Sequence, residues 1–261
     1  MKVGIIGLGW LGLPLAKSLL NKGSQVIGTT RSRSVGLSHE RFSHVIFDPQ
    51  QKRFTDNSYF TDSDIVVLAF TPSKADEKAY AKDCVRMTDL IPASCKVILL
   101  SSSGVYPKRD GIFTEENYPA GSIKNNAIGY AELALSSILR ERLTIIRLAG
   151  LVGPNRYPVT AMSKSGKSYE SRERINLIHQ EDAIGLIEFV IEHKLWNQTI
   201  NGCSTEHPLK GPFYSEMAHK LGIETPLFEH KIRSERIISN QHSLDLGYHY
   251  LYPDPAAYPI A

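Results

Sequence analysis

Gly7-Leu8-Gly9-Trp10-Leu11-Gly12 sets three glycines at the spacing GxGxxG. The first glycine of such a run permits a tight turn, the second lets backbone approach an anion, and the third lets a helix pack closely on a strand. The chemistry this offers is phosphate holding by free amides at the positive end of a helix. The flanking residues support it. Residues 3–6 are a short apolar run closed by Gly7, residues 11–20 carry apolar side chains at helical spacing before Gly23, and residues 26–30 read as the next strand. Strand, glycine turn, helix and strand within about 30 residues form one βαβ unit, the setting in which such a loop grips a dinucleotide.

The choice between dinucleotides turns on the end of the second strand, where a carboxylate would hold the free ribose hydroxyls of NAD. Thr30, Arg31, Ser32 and Arg33 stand there instead. A guanidinium pairs with a 2′-phosphate in a bidentate way, so the expected cofactor is NADP, with NAD as the alternative. Asp48, closing the third strand, is a candidate acceptor for the adenine amino group.

The elements that must position these residues follow from apolar patterning. Runs at 44–47, 65–70, 97–100 and 143–148 read as strands, with helices at about 74–90 and 127–140. Strands apolar throughout and alternating with helices predict an α/β fold, a Rossmann-type doubly wound parallel sheet. Past Pro154 the pattern changes. Residues 154–174 read as a long polar loop, followed by a helix at 181–193, a strand at 199–201 and a helix near 214–221. The expected organisation is a dinucleotide-binding core over 1–153. Residues 154–261 then form a mixed region, with a late helix and strand returning to the core and a small irregular C-terminal lobe on the substrate side.

Composition narrows the function classes. The 261 residues carry a net charge of +3 with lysines and arginines scattered, so no nucleic-acid partner is expected. No run approaches the roughly 18 apolar residues of a membrane span. Three cysteines without CxxC spacing, and nine histidines without HExxH, point to neither a disulfide framework nor a metal site. No GxSxG elbow is present. A cytoplasmic protein with a small-molecule partner is the expectation.

Alone, the first twenty residues resemble the opening of the β-hydroxyacid dehydrogenases, but the proline-rich C-terminal third has no room for their long helix. The remainder resembles the extended short-chain dehydrogenase/reductases, the NAD-dependent epimerase/dehydratase group. Three segments carry this: SSSGVYP at 101–107, RLAGLVGP at 147–154 and INLIHQEDAIGLI at 175–187. With the GLGWLG loop, the residues at 207–214 and the terminal YPDP at 252–255, the chain is similar to the atypical YeeZ-like branch of that superfamily. The resemblance implies further cofactor contacts at Ala69, Phe70, Ser101, Ala149 and Gly150. It also implies a homodimer through the helices near 74–90 and 127–140.

In active members a Ser or Thr after the fifth strand polarises the substrate oxygen and a Tyr transfers the proton. A Lys four residues on lowers the tyrosine pKa, which would otherwise sit near 10. Ser102 takes the first position, with Ser103 as the nearby alternative, and Tyr130 is the tyrosine of the expected helix. Ala134 stands where the lysine should be; aligned instead on Glu132, Lys124 and Ile128 occupy the tyrosine and lysine columns. Two readings follow. One is an oxidoreductase or epimerase/dehydratase-type enzyme on a small polar carbonyl or nucleotide-sugar-like substrate, with Arg156, Lys164 and Lys167 available to an anionic one. The other is a catalytically silent NADP-binding sensor.

Overall fold

The computed structural model describes residues 1–31, 35–49, 60–72, 78–119 and 126–260. In chain order the first elements are β1 (Lys2–Ile6), α1 (Gly12–Asn21), β2 (Gln25–Thr30), β3 (Phe42–Ile46), β4 (Ile65–Leu68), α2 (Ala79–Thr88) and β5 (Lys96–Ser102). A 3-10 turn at Ser103–Val105 follows, then β6 (Gly111–Phe113), α3 (Ala127–Leu139), β7 (Leu143–Leu148) and β8 (Gly150–Val152). The last third holds α4 (Pro158–Lys164), β9 (Ser168–Glu173), β10 (Leu177–His179), α5 (Gln180–Glu192) and β11 (Thr199–Gly202). It ends with α6 (Lys210–Lys220), β12 (Leu227–Ser234), β13 (Arg236–Ile238) and α7 (Gln241–Asp245).

Seven strands form a parallel sheet in the order β3-β2-β1-β4-β5-β7-β11. The order reverses between β1 and β4, and ligands of open α/β sheets bind beyond the strand ends at such a reversal. The glycine loop leaves β1 at that point. The expected doubly wound α/β class is therefore the fold observed.

Two compact units interleave along the chain. The first comprises residues 1–105, 119–147 and 187–199, and the second comprises 106–118, 148–186 and 200–261. Within the first, α1 forms because Leu15, Ala16, Leu19 and Leu20 recur at helical spacing and are all buried, and it stops at Gly23, whose φ is +90°. Another face of the unit buries Val66, Leu68, Val97 and Leu99 against Tyr80, Cys84 and Met87 of α2 and Leu135 and Leu139 of α3. Each fully buried leucine contributes roughly 1.5–3 kcal/mol.

The second unit corrects the reading of 154–174 as a polar loop: it contains α4 and β9. Pro158 occupies the first turn of α4, where its missing N–H costs nothing, and Val159 and Met162 are buried. β9 shows little alternation because only Ser171 is buried, and it is held by parallel pairing to β12, some 60 residues away. The C-terminal lobe is likewise more regular than expected. β8 pairs with β10, β6 pairs with β13, and Val152, Val159, Leu177, Phe213, Tyr214 and Tyr258 share an apolar cluster. No helix among the described residues is long and apolar enough to cross a membrane.

Candidate functional site

Each glycine of the loop does a different job. Gly7 has φ +111° and its Cα faces the Ala69–Phe70 backbone, which a Cβ would meet at 3.0 Å. A Cβ on Gly12 would lie 2.1 Å from the Gly7 carbonyl oxygen, so helix and turn touch there. At Gly9 a Cβ would meet nothing within 4 Å. The backbone there faces open space, as close approach of a phosphate requires.

The loop also divides its amides. The Gly7 N–H donates to Thr29 Oγ1 (3.1 Å) and the Leu8 N–H to the Thr29 carbonyl (2.7 Å), while the Leu8 side chain covers Gly28. These two residues thus build the turn with groups already engaged inside the protein. The amides of Gly9, Trp10, Leu11 and Gly12 stand at the N-terminus of α1. There Leu11 supplies no side-chain cap and the first turn holds no acid. An uncapped helix end beside an open glycine is suited to an anion.

Thr30 ends β2, and its hydroxyl lies 2.8 Å from Nε2 of His44 on β3. Arg31 follows and is exposed. Ser32 and Arg33 lie outside the described residues. Asp48 is half-buried beyond β3, and its charge helps push up the Asp83 carboxyl on α2, where burial is the larger cause. Ala69 donates its N–H to the Ile6 carbonyl, and the Phe70 carbonyl accepts from the Tyr80 hydroxyl (3.1 Å). Ala149 and Gly150 belong to the second unit, where Gly150 opens β8.

The serine run splits by burial. Ser101 is buried and its hydroxyl donates to Glu132 Oε1 (2.5 Å). Glu132 is itself buried and receives Arg147 through Nε at 3.0 Å and Nη2 at 2.6 Å. Ser101 is therefore a structural anchor through its side chain, tying β5 to α3 and β7. Ser102 is half-buried, with Oγ accepting from the Gly104 N–H (3.0 Å), and Ser103 is buried. Asn126 caps α3 by accepting from the Gly129 N–H (2.8 Å) and donates to the Gly104 carbonyl (3.4 Å), so α3 begins beside the serine turn.

Tyr130, one turn into α3, packs against the apolar cluster, with the Lys78 ammonium 5.7 Å from its ring centroid. A cation over the ring face differs from the lysine of YxxxK, which works on the hydroxyl. Lys124, a second candidate cation, lies outside the described residues. Lys164 ends α4 and Lys167 precedes β9 in the second unit, both exposed, as is Arg156. Among the described residues no three His, Cys, Asp or Glu side chains gather as metal ligands.

Sequence reasoning missed the Glu132–Arg147–Ser101 cluster and His44. It also missed the contacts that hold the IHQED segment to the C-terminal residues. Asp182 accepts the Leu251 (2.6 Å) and Tyr252 (3.0 Å) N–H groups, while the His179 ring meets Tyr252 edge to face and lies tilted against Tyr258.

Protein YeeZ of Escherichia coli K12 is 31% identical over 275 aligned residues, spanning 99% of each chain. The chain belongs to the YeeZ family. The family described as "NADP oxidoreductase coenzyme F420-dependent" matches residues 2–86 of this YeeZ relative, the part holding the glycine loop. Solved structures share its fold. A dTDP-glucose 4,6-dehydratase from Bacillus anthracis, in complex with NAD, has TM-score 0.74 at 16% identity, covering 97% of this chain and 92% of its own. A UDP-glucuronic acid 4-epimerase from Bacillus cereus, in complex with NAD, has TM-score 0.73 at 17% identity, covering 100% and 94%.

Proposed function

We propose that this YeeZ-family chain binds NAD(P) in its first unit, with NADP preferred. We further propose that it is an oxidoreductase or epimerase/dehydratase-type enzyme for a small polar carbonyl or nucleotide-sugar-like substrate. The carrying observation is the contrast between Gly12, packed on the Gly7 carbonyl, and Gly9, whose Cα faces open space beside the uncapped end of α1. That arrangement fits a pyrophosphate, with Gly9 to Gly12 as donors, Thr30 and Arg31 at the adenosine ribose, and Ala69 and Phe70 beside the loop. The bound nicotinamide would supply hydride exchange. In that role Ser102 donates its hydroxyl to the substrate oxygen and Tyr130 holds or moves the proton. Arg156, Lys164 and Lys167 suit an anionic substrate, and Leu133 and Ile138, exposed on α3, support a homodimer through α2 and α3.

The silent-sensor reading is favoured by two observations: Ala134 replaces the lysine, and Lys78 sits over the Tyr130 ring. Trp10 within the loop gives a fluorescence readout for both readings. Saturable quenching by NADPH, tighter than by NADH, is the expected result, and absence of any cofactor binding overturns the reading. Turnover of reduced cofactor with a panel of nucleotide sugars and small carbonyls, lost in Ser102→Ala and Tyr130→Phe, separates enzyme from sensor.

A further inference from the structure

A cleft of about 380 Å³ opens in the second unit at β6, lined by residues 109–113 with Asn117 and Tyr118. That volume is near the lower end of small-molecule pockets, about 300–1,000 Å³. β6 is paired on one side only, with β13. Gly111 donates its N–H to the Glu235 carbonyl (3.3 Å) and the Phe113 carbonyl accepts from the Ser239 N–H (3.0 Å), so both turn backbone groups toward β13. The residue between them turns its N–H and C=O the other way, so Ile112 presents both at the open edge. The cleft runs along that edge. Ile112 on one face of the strand and Phe113 on the other both line it, and among the described residues none of β13 does.

The side chains there carry unspent polar groups of both signs. Arg109 Nη2 donates to the Tyr118 hydroxyl (2.9 Å), and its guanidinium carbon lies 5.9 Å from the Phe113 ring centroid. The fork is held in place by these contacts, with most of its five N–H groups unspent among the described residues. Asp110 accepts the Glu235 N–H (3.0 Å) at Oδ1 and has no described partner at Oδ2. Neighbours of opposite charge, Arg109 and Asp110 do not pair with one another. Ile112 adds an apolar side chain that is 62% exposed, and Asn117 adds a carboxamide.

An anion such as phosphate would meet the Asp110 carboxylate, and a simple cation would meet the Arg109 guanidinium. A neutral polyol would cover both charges and bring neither its counter-charge. A small molecule bearing a carboxylate and an ammonium answers both. We propose that this cleft binds a small zwitterion, an α-amino acid or dipeptide with an apolar side chain. Its carboxylate lies on Arg109, its ammonium on Asp110 and its side chain against Ile112. The open edge of Ile112 supplies one further N–H and C=O to the ligand main chain.

Calorimetric titration of the full chain with L-leucine, glycyl-L-leucine, L-leucinamide, N-acetyl-L-leucine, glucose and inorganic phosphate tests this. L-leucine or glycyl-L-leucine should bind saturably, and whichever is tighter gives the spacing of the two charges. L-leucinamide, which lacks the carboxylate, and N-acetyl-L-leucine, which lacks the ammonium, should each bind at least about tenfold more weakly. Arg109→Gln and Asp110→Asn should weaken the zwitterion by a similar factor, and Arg109→Lys, which keeps the charge without the fork, should lose less than Arg109→Gln. No saturable binding of either zwitterion, equal binding of the two blocked compounds, or tighter binding of glucose or phosphate overturns the proposal. A thermal melt of each variant checks that it folds. If Arg109→Gln fails to fold, the blocked compounds on wild type and Asp110→Asn decide the matter, and no weakening in them overturns the site.

Discussion

Gly9 and Gly12 are three residues apart, yet they answer to different demands, and alanine at each should show it. At position 12 the new methyl meets a backbone carbonyl at 2.1 Å, an atom that cannot swing aside. Gly12→Ala should lower stability by about 1–3 kcal/mol, the usual cost of overpacking, seen as a lower urea midpoint. At position 9 nothing is within reach, so Gly9→Ala should leave the midpoint within about 0.5 kcal/mol. Its NADPH dissociation constant should nevertheless rise at least about tenfold, because the methyl stands where the phosphate approaches. A Gly9→Ala protein that binds NADPH normally would remove the pyrophosphate from this loop. The glycines were legible because turn and close packing admit few other residue types. His44 was not, since its meeting with Thr30 depends on a strand register that no local spacing encodes.

Among the elements, α3 is fixed by a buried charge pair as well as by its apolar face. Glu132 and Arg147 are nearly inaccessible, and Ser101 completes the carboxylate's hydrogen bonds. Removing one partner strands the other, so Glu132→Gln should cost about 3–5 kcal/mol in urea denaturation. The pair Glu132→Leu with Arg147→Met should cost clearly less, because the charges are then removed together. If the double change is as damaging as the sum of the singles, the pair is not acting as a unit. Sequence patterning located α3 to within a residue and both neighbouring strands, because each is an apolar run with clear ends. It failed at β9, which is held by a partner strand distant in the chain, and at α4, a helix of seven residues with only Val159 and Met162 buried. The lone signal there was Pro158 at the first turn of α4.

For the whole molecule, acid response follows from histidines that folding keeps away from water. Burial holds the pKa of both His179 and His207 below the ordinary 6.5. Above 6.5 each is neutral whether folded or not, and no penalty arises. As pH falls through 6.5 the unfolded chain takes up protons that the folded chain refuses, so stability drops until pH reaches the folded values. Asp182 acts in the opposite sense in the carboxylate range. Burial raises its pKa against the Leu251 and Tyr252 N–H groups, so acidification between 3.8 and its folded value is stabilising. Urea midpoints at several values between pH 7.5 and 5 should therefore fall with pH, and His179→Phe should flatten the slope. Nε2 of His179 is buried without a partner among the described residues, so the phenyl ring forfeits only the long 3.4 Å bond that Nδ1 accepts from the Glu181 N–H. A slope unchanged by that substitution would assign the acid response elsewhere.

The interleaving of the two units has a consequence during synthesis. The glycine loop leaves the ribosome among the first residues made, but the unit that contains it takes its last segment from residues 187–199. Domains ordinarily fold in order of emergence. Here the first unit has to wait for some three quarters of the chain, and a nascent chain stalled before residue 187 would display β1, β4 and β5 without that closing segment. A ribosome-bound chain arrested there should remain open to protease, and lengthening it past residue 199 by the span of the exit tunnel should bring protection.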